Sequence, residues 1–317
     1  MKVLVTGADG FVGRHVVRHL LDSGDVVAAG CRPGGPAVAW RGAASTGTAP
    51  TVLPLEITDN ASVQRALAWG PDAIVHLAAV ASVSEARQDP GLAWEVNAAG
   101  TARLVAAAVE QRQAGQTGAA VLVVSTGEVY GPGEPVPRVE TDALRPVSTY
   151  AASKVGAEVA AFEAWRRSGL RVVIARPFPH TGPGQSTAFV VPAFAARLKA
   201  ARASGATSVS TGNLSPVRDL LDVRDVARAY RQLLERGVAG EAYNVASGAG
   251  VPLADVFGRL AALIGTHATP TPDPTLMRAA DIPHLVGDAT KLRRAAGWAP
   301  TISFDQILQG LVDAEAD

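Results

Sequence analysis

The sequence predicts an α/β fold, a Rossmann-type doubly wound parallel sheet with helices on both faces and a smaller C-terminal part. Short runs of Val, Ile and Leu alternate with helical stretches through the first half of the chain. The runs are apolar throughout, which is typical of parallel strands covered on both faces. The first run leads directly into a turn with glycines at positions 7, 10 and 13.

The predicted elements follow one another in a regular order. A helix over residues 11–21 would place its apolar side chains on one face, and Gly24 would end it. A long Ala-rich helix should precede the fifth strand, and a further helix should cover about 149–165. The predicted strands are residues 3–5, 26–29, 51–55, 73–77, 121–124 and 171–175.

After about Phe178 the chain contains more Gly and Pro and its strands become less regular. We therefore predict a dinucleotide-binding domain over 1–177 and a mainly substrate-binding domain over 178–317. Residues 242–245 are expected to return to the sheet. Residues 32–50 are rich in Gly, Ala, Pro and Ser, which favours a surface loop.

Composition narrows the class of protein. The 317 residues are 48% hydrophobic and 18% charged, as expected for a chain with a sizeable core. The formal net charge of zero argues against nucleic acid or an anionic membrane as partner. Cys31 is the single cysteine, so neither an internal disulfide nor a multi-cysteine metal site is expected, and no residues have metal-ligand spacing. The apolar start is too short for a signal sequence and no later stretch is long enough to span a membrane, so we expect a cytoplasmic protein.

The glycine-rich turn predicts a dinucleotide site. Gly7, Gly10 and Gly13 permit a tight turn, close approach of the backbone to a pyrophosphate, and close helix packing. The helix that starts at Phe11 and Val12 would aim its free N–H groups at the phosphates, with Asp9 beside them.

The end of the second strand bears on the choice between NAD and NADP. NAD sites usually carry an acid about 20 residues after the turn, bonded to the ribose hydroxyl. Here the strand ends in Gly30, Cys31 and Arg32, with no acid. Arg32 would face a 2′-phosphate, so NADP is favoured and NAD remains open. The alternative is a solvated surface arginine.

Three side chains form a candidate catalytic set. Tyr150 and Lys154 are four residues apart and therefore share one helix face. A cation beside a phenol favours the phenolate, so Lys154 is expected to lower the pKa of Tyr150. Thr126 follows the fifth strand, where its hydroxyl can bond the substrate oxygen that Tyr150 protonates. Glu128 is a candidate second acid or base, or a group that holds a substrate hydroxyl; the alternative is an acid that caps a nearby loop.

Several motifs together resemble a known family. They are Thr-Gly at 6–7, His-Leu-Ala-Ala at 76–79, Asn-Ala-Ala-Gly-Thr at 97–101, Ser-Thr-Gly-Glu-Val-Tyr-Gly at 125–131, and the Tyr150–Lys154 pair. In this order they resemble the extended short-chain dehydrogenase/reductases of the epimerase/dehydratase type, which modify nucleotide sugars. The resemblance implies that Thr126, Tyr150 and Lys154 are catalytic. It also implies that subunits pair through a four-helix bundle, for which the Ala-rich helix around 101–109 and the Tyr150 helix are the candidates. It also implies further cofactor contacts at Glu56, Ile57, Leu77, Ala78, Ala79, Tyr150, Lys154 and Pro177.

The second half is similar to GDP-4-keto-6-deoxy-D-mannose reductases. The similar segments are residues 176–185, 212–219, 222–226, 243–248 and 282–288. The resemblance implies reduction of the 4-keto group of a GDP-bound 6-deoxyhexose, with Arg218 and Arg278 holding the diphosphate. Each arginine has the alternative of a surface ion pair. The remaining substrate contacts that it implies are Ser82, Thr126, Glu128, Pro179 and Val190.

Two departures leave alternatives open. Pro179 stands where these reductases usually carry Asn, and Glu56 where an Asp is common. A 4-epimerase or 4,6-dehydratase of the same superfamily is the second hypothesis, although dehydratases often show Thr-Asp-Glu where this chain has Thr126, Gly127 and Glu128. A non-catalytic dinucleotide-binding protein is the third. Such relatives typically lose the Tyr or the Lys.

Overall fold

The computed structural model describes residues 1–36, 38, 40, 47–114, 118–277 and 281–314. Its strands are β1 (Lys2–Thr6), β2 (Val26–Cys31), β3 (Thr51–Pro54), β4 (Ala73–His76), β5 (Ala120–Val124), β6 (Val172–Pro177), β7 (His180–Thr181), β8 (Ser208–Thr211), β9 (Val217–Asp219), β10 (Leu221–Asp222), β11 (Glu241–Val245), β12 (Gly250–Pro252), β13 (Thr269–Pro272) and β14 (His284–Leu285). Its α-helices are α1 (Phe11–Asp22), α2 (Asn60–Leu67), α3 (Val83–Gln88), α4 (Pro90–Trp94), α5 (Gly100–Gln113), α6 (Thr149–Ser168), α7 (Val190–Ser204), α8 (Val223–Arg236), α9 (Leu253–Ile264), α10 (Thr290–Ala296) and α11 (Phe304–Asp313).

The main sheet has seven parallel strands in the order β11-β6-β5-β4-β1-β2-β3. Strand order reverses on either side of β1, where Thr6 pairs with both Gly30 and His76. The predicted Rossmann-type sheet is therefore confirmed. In such sheets a ligand binds beyond the carboxyl ends of the strands, at the switch in strand order.

Two apolar clusters cover the two faces of this sheet. On one face, Val17 of α1 packs in a cluster with Leu233 of α8. On the other face, Leu104 of α5 and Ala161 of α6 belong to a second cluster. Removal of this surface from water is the main term that stabilises the layered arrangement. Among the described helices, none has the length and apolar character to cross a bilayer.

The predicted elements match the structure closely, with one difference in kind. The long Ala-rich helix is divided into α4, a π-helical turn (Glu95–Ala99) and α5. Single π turns inside helices often occur at functional sites. The turn here contains buried Asn97, whose contacts are described below.

The C-terminal part contributes to the sheet and also has a core of its own. β11 pairs with β6, which confirms the expected return of residues 242–245. A separate apolar cluster includes Phe194 of α7, Leu260 of α9 and Leu308 of α11. The division at residues 177 and 178 falls at the end of β6 and stays a prediction.

Candidate active site

The glycine-rich turn leaves no room for larger side chains. Gly7 has φ +65°, and a Cβ there would lie 2.8 Å from the backbone nitrogen of Ala78. A Cβ on Gly13 would lie 2.2 Å from the carbonyl oxygen of Gly7. α1 starts after Gly10, and within the described residues no side chain caps it. Its first N–H groups, those of Phe11 and Val12 among them, are therefore available to an anion, and the positive end of the helix favours one.

The segment after β4 is held against this turn by a buried polar chain. The Thr6 hydroxyl accepts from the backbone nitrogens of Leu77 (3.2 Å) and Ala78 (3.1 Å) and contacts His76 Nδ1 at 2.8 Å. His76 Nε2 lies 3.0 Å from the Thr101 hydroxyl. Burial lowers the pKa of His76 to about 3, and the Lys154 charge adds to this effect. A neutral imidazole therefore links β1, β4 and α5 behind Leu77, Ala78 and Ala79, which are half-buried.

Four of the predicted cofactor contacts, at positions 9, 32, 56 and 57, differ in their exposure and in the groups around them. Arg32 is exposed one residue beyond β2, whereas Glu56 accepts from the Thr58 nitrogen (3.0 Å) and hydroxyl (2.8 Å). Ile57 is buried against Gly100. Asp9 lies close to Cys31, whose pKa is raised first by burial and then by this carboxylate. Arg32 and Asp9 thus bring charges of opposite sign to the end of β2.

Thr126 and Tyr150 meet at the carboxyl end of β5. The Thr126 hydroxyl is near enough to the Tyr150 phenol to affect its pKa, and it accepts a hydrogen bond from the backbone nitrogen of Glu128 at 3.2 Å. Burial raises the pKa of Tyr150, the Glu128 carboxylate raises it further, and the nearby Thr126 hydroxyl opposes both. Tyr150 is therefore a neutral phenol in the protein alone. This differs from the expected lowering by Lys154, because desolvation and Glu128 dominate.

Lys154 lies one turn along α6 from Tyr150. Its Nζ donates a 2.8 Å hydrogen bond to the carbonyl oxygen of Val124. Burial lowers its pKa to about 8, and the Glu158 carboxylate opposes this change. The ammonium is thus the charged form at neutral pH, held close to the end of β5.

Asn97 is a positioning residue. In the sequence it was noted only as part of the motif at 97–101, with no role of its own. Its side chain accepts from the nitrogen of Val80 (2.8 Å) and donates to the carbonyl of Val80 (3.1 Å) and the hydroxyl of Ser153 (2.9 Å). It joins the segment after β4 to the helix that carries Tyr150 and Lys154. The signal that could have identified it is an amide in a helical stretch that is otherwise rich in Ala.

The other predicted substrate residues lie in the segments that follow β4 and β6 and at the start of α7. Ser82 accepts from the nitrogen of Glu85 (3.3 Å) and caps α3, and Val190 is the first residue of α7. Half-buried Pro179 follows buried Pro177 and accepts at its carbonyl from the nitrogen of Leu221 (3.0 Å).

Arg218 already has protein partners. Its guanidinium donates to the Asp281 carboxylate at 2.6 Å and to the carbonyl of Ile282 at 2.7 Å. This contact corresponds to the ion-pair alternative, and a role towards a diphosphate stays a prediction. Arg278 lies outside the described residues.

Comparison with known proteins gives the family. The model of the family described as GDP-mannose 4,6 dehydratase matches residues 4–311. The chain belongs to this family. GDP-6-deoxy-D-mannose reductase of Pseudomonas aeruginosa is a relative, 32% identical over 98% of this chain and 96% of its own. The resemblance to extended short-chain dehydrogenase/reductases is thereby confirmed.

Two solved structures of the superfamily extend the comparison. The structure of RMD from Pseudomonas aeruginosa complexed with NADPH has a TM-score of 0.81 and 31% identity, and the match covers 98% of this chain and 97% of that one. UDP-glucose 4-epimerase of Thermus thermophilus in complex with NAD has a TM-score of 0.84 and 31% identity, with 99% and 98% covered.

The geometry of the turn fits the dinucleotide that these family members bind. Gly7 brings the backbone of the turn close to Ala78 in the segment after β4, and Gly13 brings the start of α1 close to the backbone of Gly7 and Ala8. The α1 terminus faces the same switch in strand order. Thr126, Tyr150 and Lys154 lie along the carboxyl end of β5, two strands from β1.

Proposed function

We propose that the protein is a nucleotide-sugar 4-ketoreductase that uses NADPH, or less efficiently NADH, to reduce GDP-4-keto-6-deoxymannose. The proximity of Thr126 to protonated Tyr150, with charged Lys154 one turn away, carries this proposal. A ketone reduction needs a proton donor at the carbonyl oxygen, and a neutral phenol provides it. The Pseudomonas aeruginosa reductase supports the choice of sugar.

The bound nicotinamide supplies the hydride. Tyr150 gives its proton to the C4 oxygen, and the Thr126 hydroxyl donates a second hydrogen bond to that oxygen. Lys154 binds the cofactor ribose, and its charge stabilises the phenolate that Tyr150 becomes. Glu128 is near enough to Tyr150 to affect its titration, and we assign it to a hydroxyl of the sugar.

NADPH is preferred in this proposal because Arg32 is exposed just beyond β2, and β2 itself ends without an acid to bind a ribose hydroxyl. The NADPH complex of the similar Pseudomonas protein supports the same choice. We assign the other predicted cofactor contacts to the dinucleotide; they are Glu56, Ile57, Leu77, Ala78, Ala79 and Pro177. We assign to the nucleotide sugar the residues Arg218, Arg278, Ser82, Pro179 and Val190.

A specific contact disfavours the 4,6-dehydratase alternative. A Cβ on Gly127 would lie 3.1 Å from the ring of Phe178, which is 1% exposed. An aspartate at position 127, as in the Thr-Asp-Glu pattern of dehydratases, would require that buried ring to move. The 4-epimerase stays the second candidate, supported by the similar Thermus thermophilus epimerase.

We also propose that the protein is a cytoplasmic homodimer. Trp94 of α4 lies across Gly156 of α6, where a Cβ would be 2.8 Å from the indole ring. Trp94, Leu92 and Val159 form an exposed apolar face, and their exposed fractions are 46%, 40% and 62%. Burial of such a face against the same helices of a second subunit would give the four-helix bundle expected from the resemblance.

Tyr150→Phe tests the chemistry separately from binding. Removal of the phenol oxygen should lower turnover of GDP-4-keto-6-deoxymannose by about 10²–10⁴-fold, the usual contribution of a general acid. The dissociation constant for NADPH, measured by fluorescence, should stay within about threefold because of the retained ring. Tyr230→Phe is the matched control, since the buried Tyr230 hydroxyl has no hydrogen-bond partner within the described residues. Equal turnover by Tyr150→Phe and wild type would contradict the proposal.

A further inference from the structure

Three consecutive residues at the end of β5 contact one face of α6. Thr126 lies near Tyr150, and the carbonyl of Val124 accepts a hydrogen bond from Lys154. Between them, the hydroxyl of Ser125 donates a 2.5 Å hydrogen bond to Oε1 of Glu158. Positions 150, 154 and 158 are spaced by four and therefore share a helix face. Glu158 is thus the third member of a row whose first two members are in the candidate active site.

The other side of the Glu158 carboxylate is bound by Arg176 of β6. Arg176 donates from Nε to Oε1 at 3.0 Å and from Nη2 to Oε2 at 2.7 Å, a bidentate pair. The side chains of Arg176 and Glu158 are 6% and 2% exposed. Nη1 of Arg176 also donates to the Tyr130 hydroxyl at 3.0 Å, which in turn donates to Asn244 of β11 at 2.7 Å. The network therefore joins α6 to three neighbouring strands.

A buried ion pair contributes little net stability, because the desolvation of two charges offsets their attraction. Replacement of a buried ion pair by apolar side chains of similar volume is often neutral or stabilising. The position of the pair, beside the residues that bear the chemistry, indicates a different role.

The charged groups around Lys154 identify Glu158 as the carboxylate that acts on it. Glu158 opposes the effect of burial on the pKa of Lys154. His76 of β4 is neutral, because burial lowers its pKa to about 3. Tyr150 and Tyr130 are neutral phenols, since burial raises the pKa of each.

The remaining charges near α6 have other partners or act elsewhere. Arg176 is bound to Glu158, and Glu128 acts on Tyr150. On the π-helical turn and α5, Glu95 pairs with Arg103 at 3.8 Å near the surface.

We propose that Glu158, held by Ser125 and Arg176, is a positioning residue that sets α6 against the end of β5 and keeps Lys154 charged. This inference deepens the proposed function and rests on it for its catalytic meaning. The protonation state of Lys154 is nevertheless measurable without any sugar, so the two proposals fail in distinguishable ways.

The chain has four lysines (Lys2, Lys154, Lys199 and Lys291), which makes a direct titration practical. Protein labelled with ¹³C at the lysine ε-carbons should give four NMR signals, and Lys154→Met assigns the one from Lys154. In Glu158→Gln, the titration midpoint of that signal should fall by about one pH unit, because a neighbouring carboxylate favours the ammonium. Glu163→Gln is the matched control on the same helix, where an exposed Glu163 pairs with Arg167. It should leave the midpoint unchanged.

A second variant separates the electrostatic effect from loss of folding. Glu158→Gln leaves Arg176 buried without its partner, which destabilises the protein. The double variant Glu158→Gln/Arg176→Met removes both charges and should recover much of the thermal stability, yet keep the lowered Lys154 midpoint. A wild-type midpoint in the double variant would overturn the inference, whatever the enzyme does with the sugar. A lowered midpoint together with inactivity on GDP-4-keto-6-deoxymannose would support it and count against the proposed substrate alone.

Discussion

The ammonium of Lys154 donates a 2.8 Å hydrogen bond to the carbonyl oxygen of Val124, the last residue of β5. This contact places a buried cation beside the strand that ends at Thr126. Burial lowers the pKa of Lys154 to about 8, so the amine is protonated below that pH and neutral above it. The charge needed at the active site is therefore lost within an accessible pH range.

We expect kcat/KM for NADPH, which reports groups of the free enzyme, to fall about tenfold per pH unit above pH 8. Lys154→Arg keeps the charge at all these pH values. It should therefore remove the alkaline fall, although its maximal rate should be lower. Lys199→Arg, on α7, is the control and should keep the wild-type profile. An alkaline limb that persists in Lys154→Arg would show that another group is titrating.

His76 should make the fold sensitive to acid. Burial holds its pKa near 3 in the folded protein, whereas an unfolded histidine titrates near 6.5. Between these values only the unfolded chain takes up the proton, so the free energy of unfolding falls as the pH drops, by about 1.4 kcal/mol per unit from this residue. Urea unfolding of His76→Gln between pH 7 and about pH 4 should give a shallower slope. His267→Gln, at an exposed position, should match the wild type. An unchanged slope in His76→Gln would exclude the buried imidazole as the cause.

The surroundings of two glycines, one in the glycine-rich turn and one on α9, predict opposite effects of Gly→Ala substitution. In Gly13→Ala the new Cβ would lie 2.2 Å from the carbonyl oxygen of Gly7, so the turn must shift. We expect the dissociation constant for NADPH to rise more than about tenfold, which corresponds to about 1.4 kcal/mol. Gly258→Ala on α9 meets no atom of the described residues within 4 Å and should raise stability by about 0.5–1 kcal/mol. Calorimetry and cofactor fluorescence measure both effects. Wild-type affinity in Gly13→Ala would contradict the assigned phosphate site.

The proposed dimer face can be tested with a single charge. Val159→Glu places a carboxylate at a position of α6 that is 62% exposed, and burial of that charge in the interface would be costly. Sedimentation should give a dimer for the wild type and a monomer for the variant. Val26→Glu, at the 59%-exposed first residue of β2, should remain a dimer. A monomeric wild type would refute the proposal.

Local signals in the sequence were enough to predict the main sheet. Continuous apolar runs identified its strands, and helical periodicity identified α1. The spacing of Gly7, Gly10 and Gly13 predicted the start of α1, because only glycine allows the tight turn and close backbone contacts that precede the helix. The π-helical turn could not be predicted in this way. It depends on Asn97 reaching Val80 and Ser153, which are distant in sequence.

The candidate site shows the same limit. Thr126 and Tyr150 were predicted to act on one substrate oxygen, and they lie just after β5 and at the start of α6. The titration of Tyr150 was not predictable from the nearby Lys154, because it depends on burial and on the position of Glu128. Likewise, Arg218 pairs with Asp281, which is 63 positions away, so no local sequence pattern could predict that contact.

The most direct test of the account is a stoichiometric assay with purified protein and GDP-4-keto-6-deoxymannose. The absorbance of NADPH and of NADH would be followed in separate reactions, and the sugar product identified by NMR. We predict one reduced cofactor consumed per 4-keto sugar converted to a 4-hydroxy sugar, faster with NADPH than with NADH. Tight cofactor binding without net consumption would contradict the ketoreductase and favour the epimerase, with Pro179 as the first position to examine.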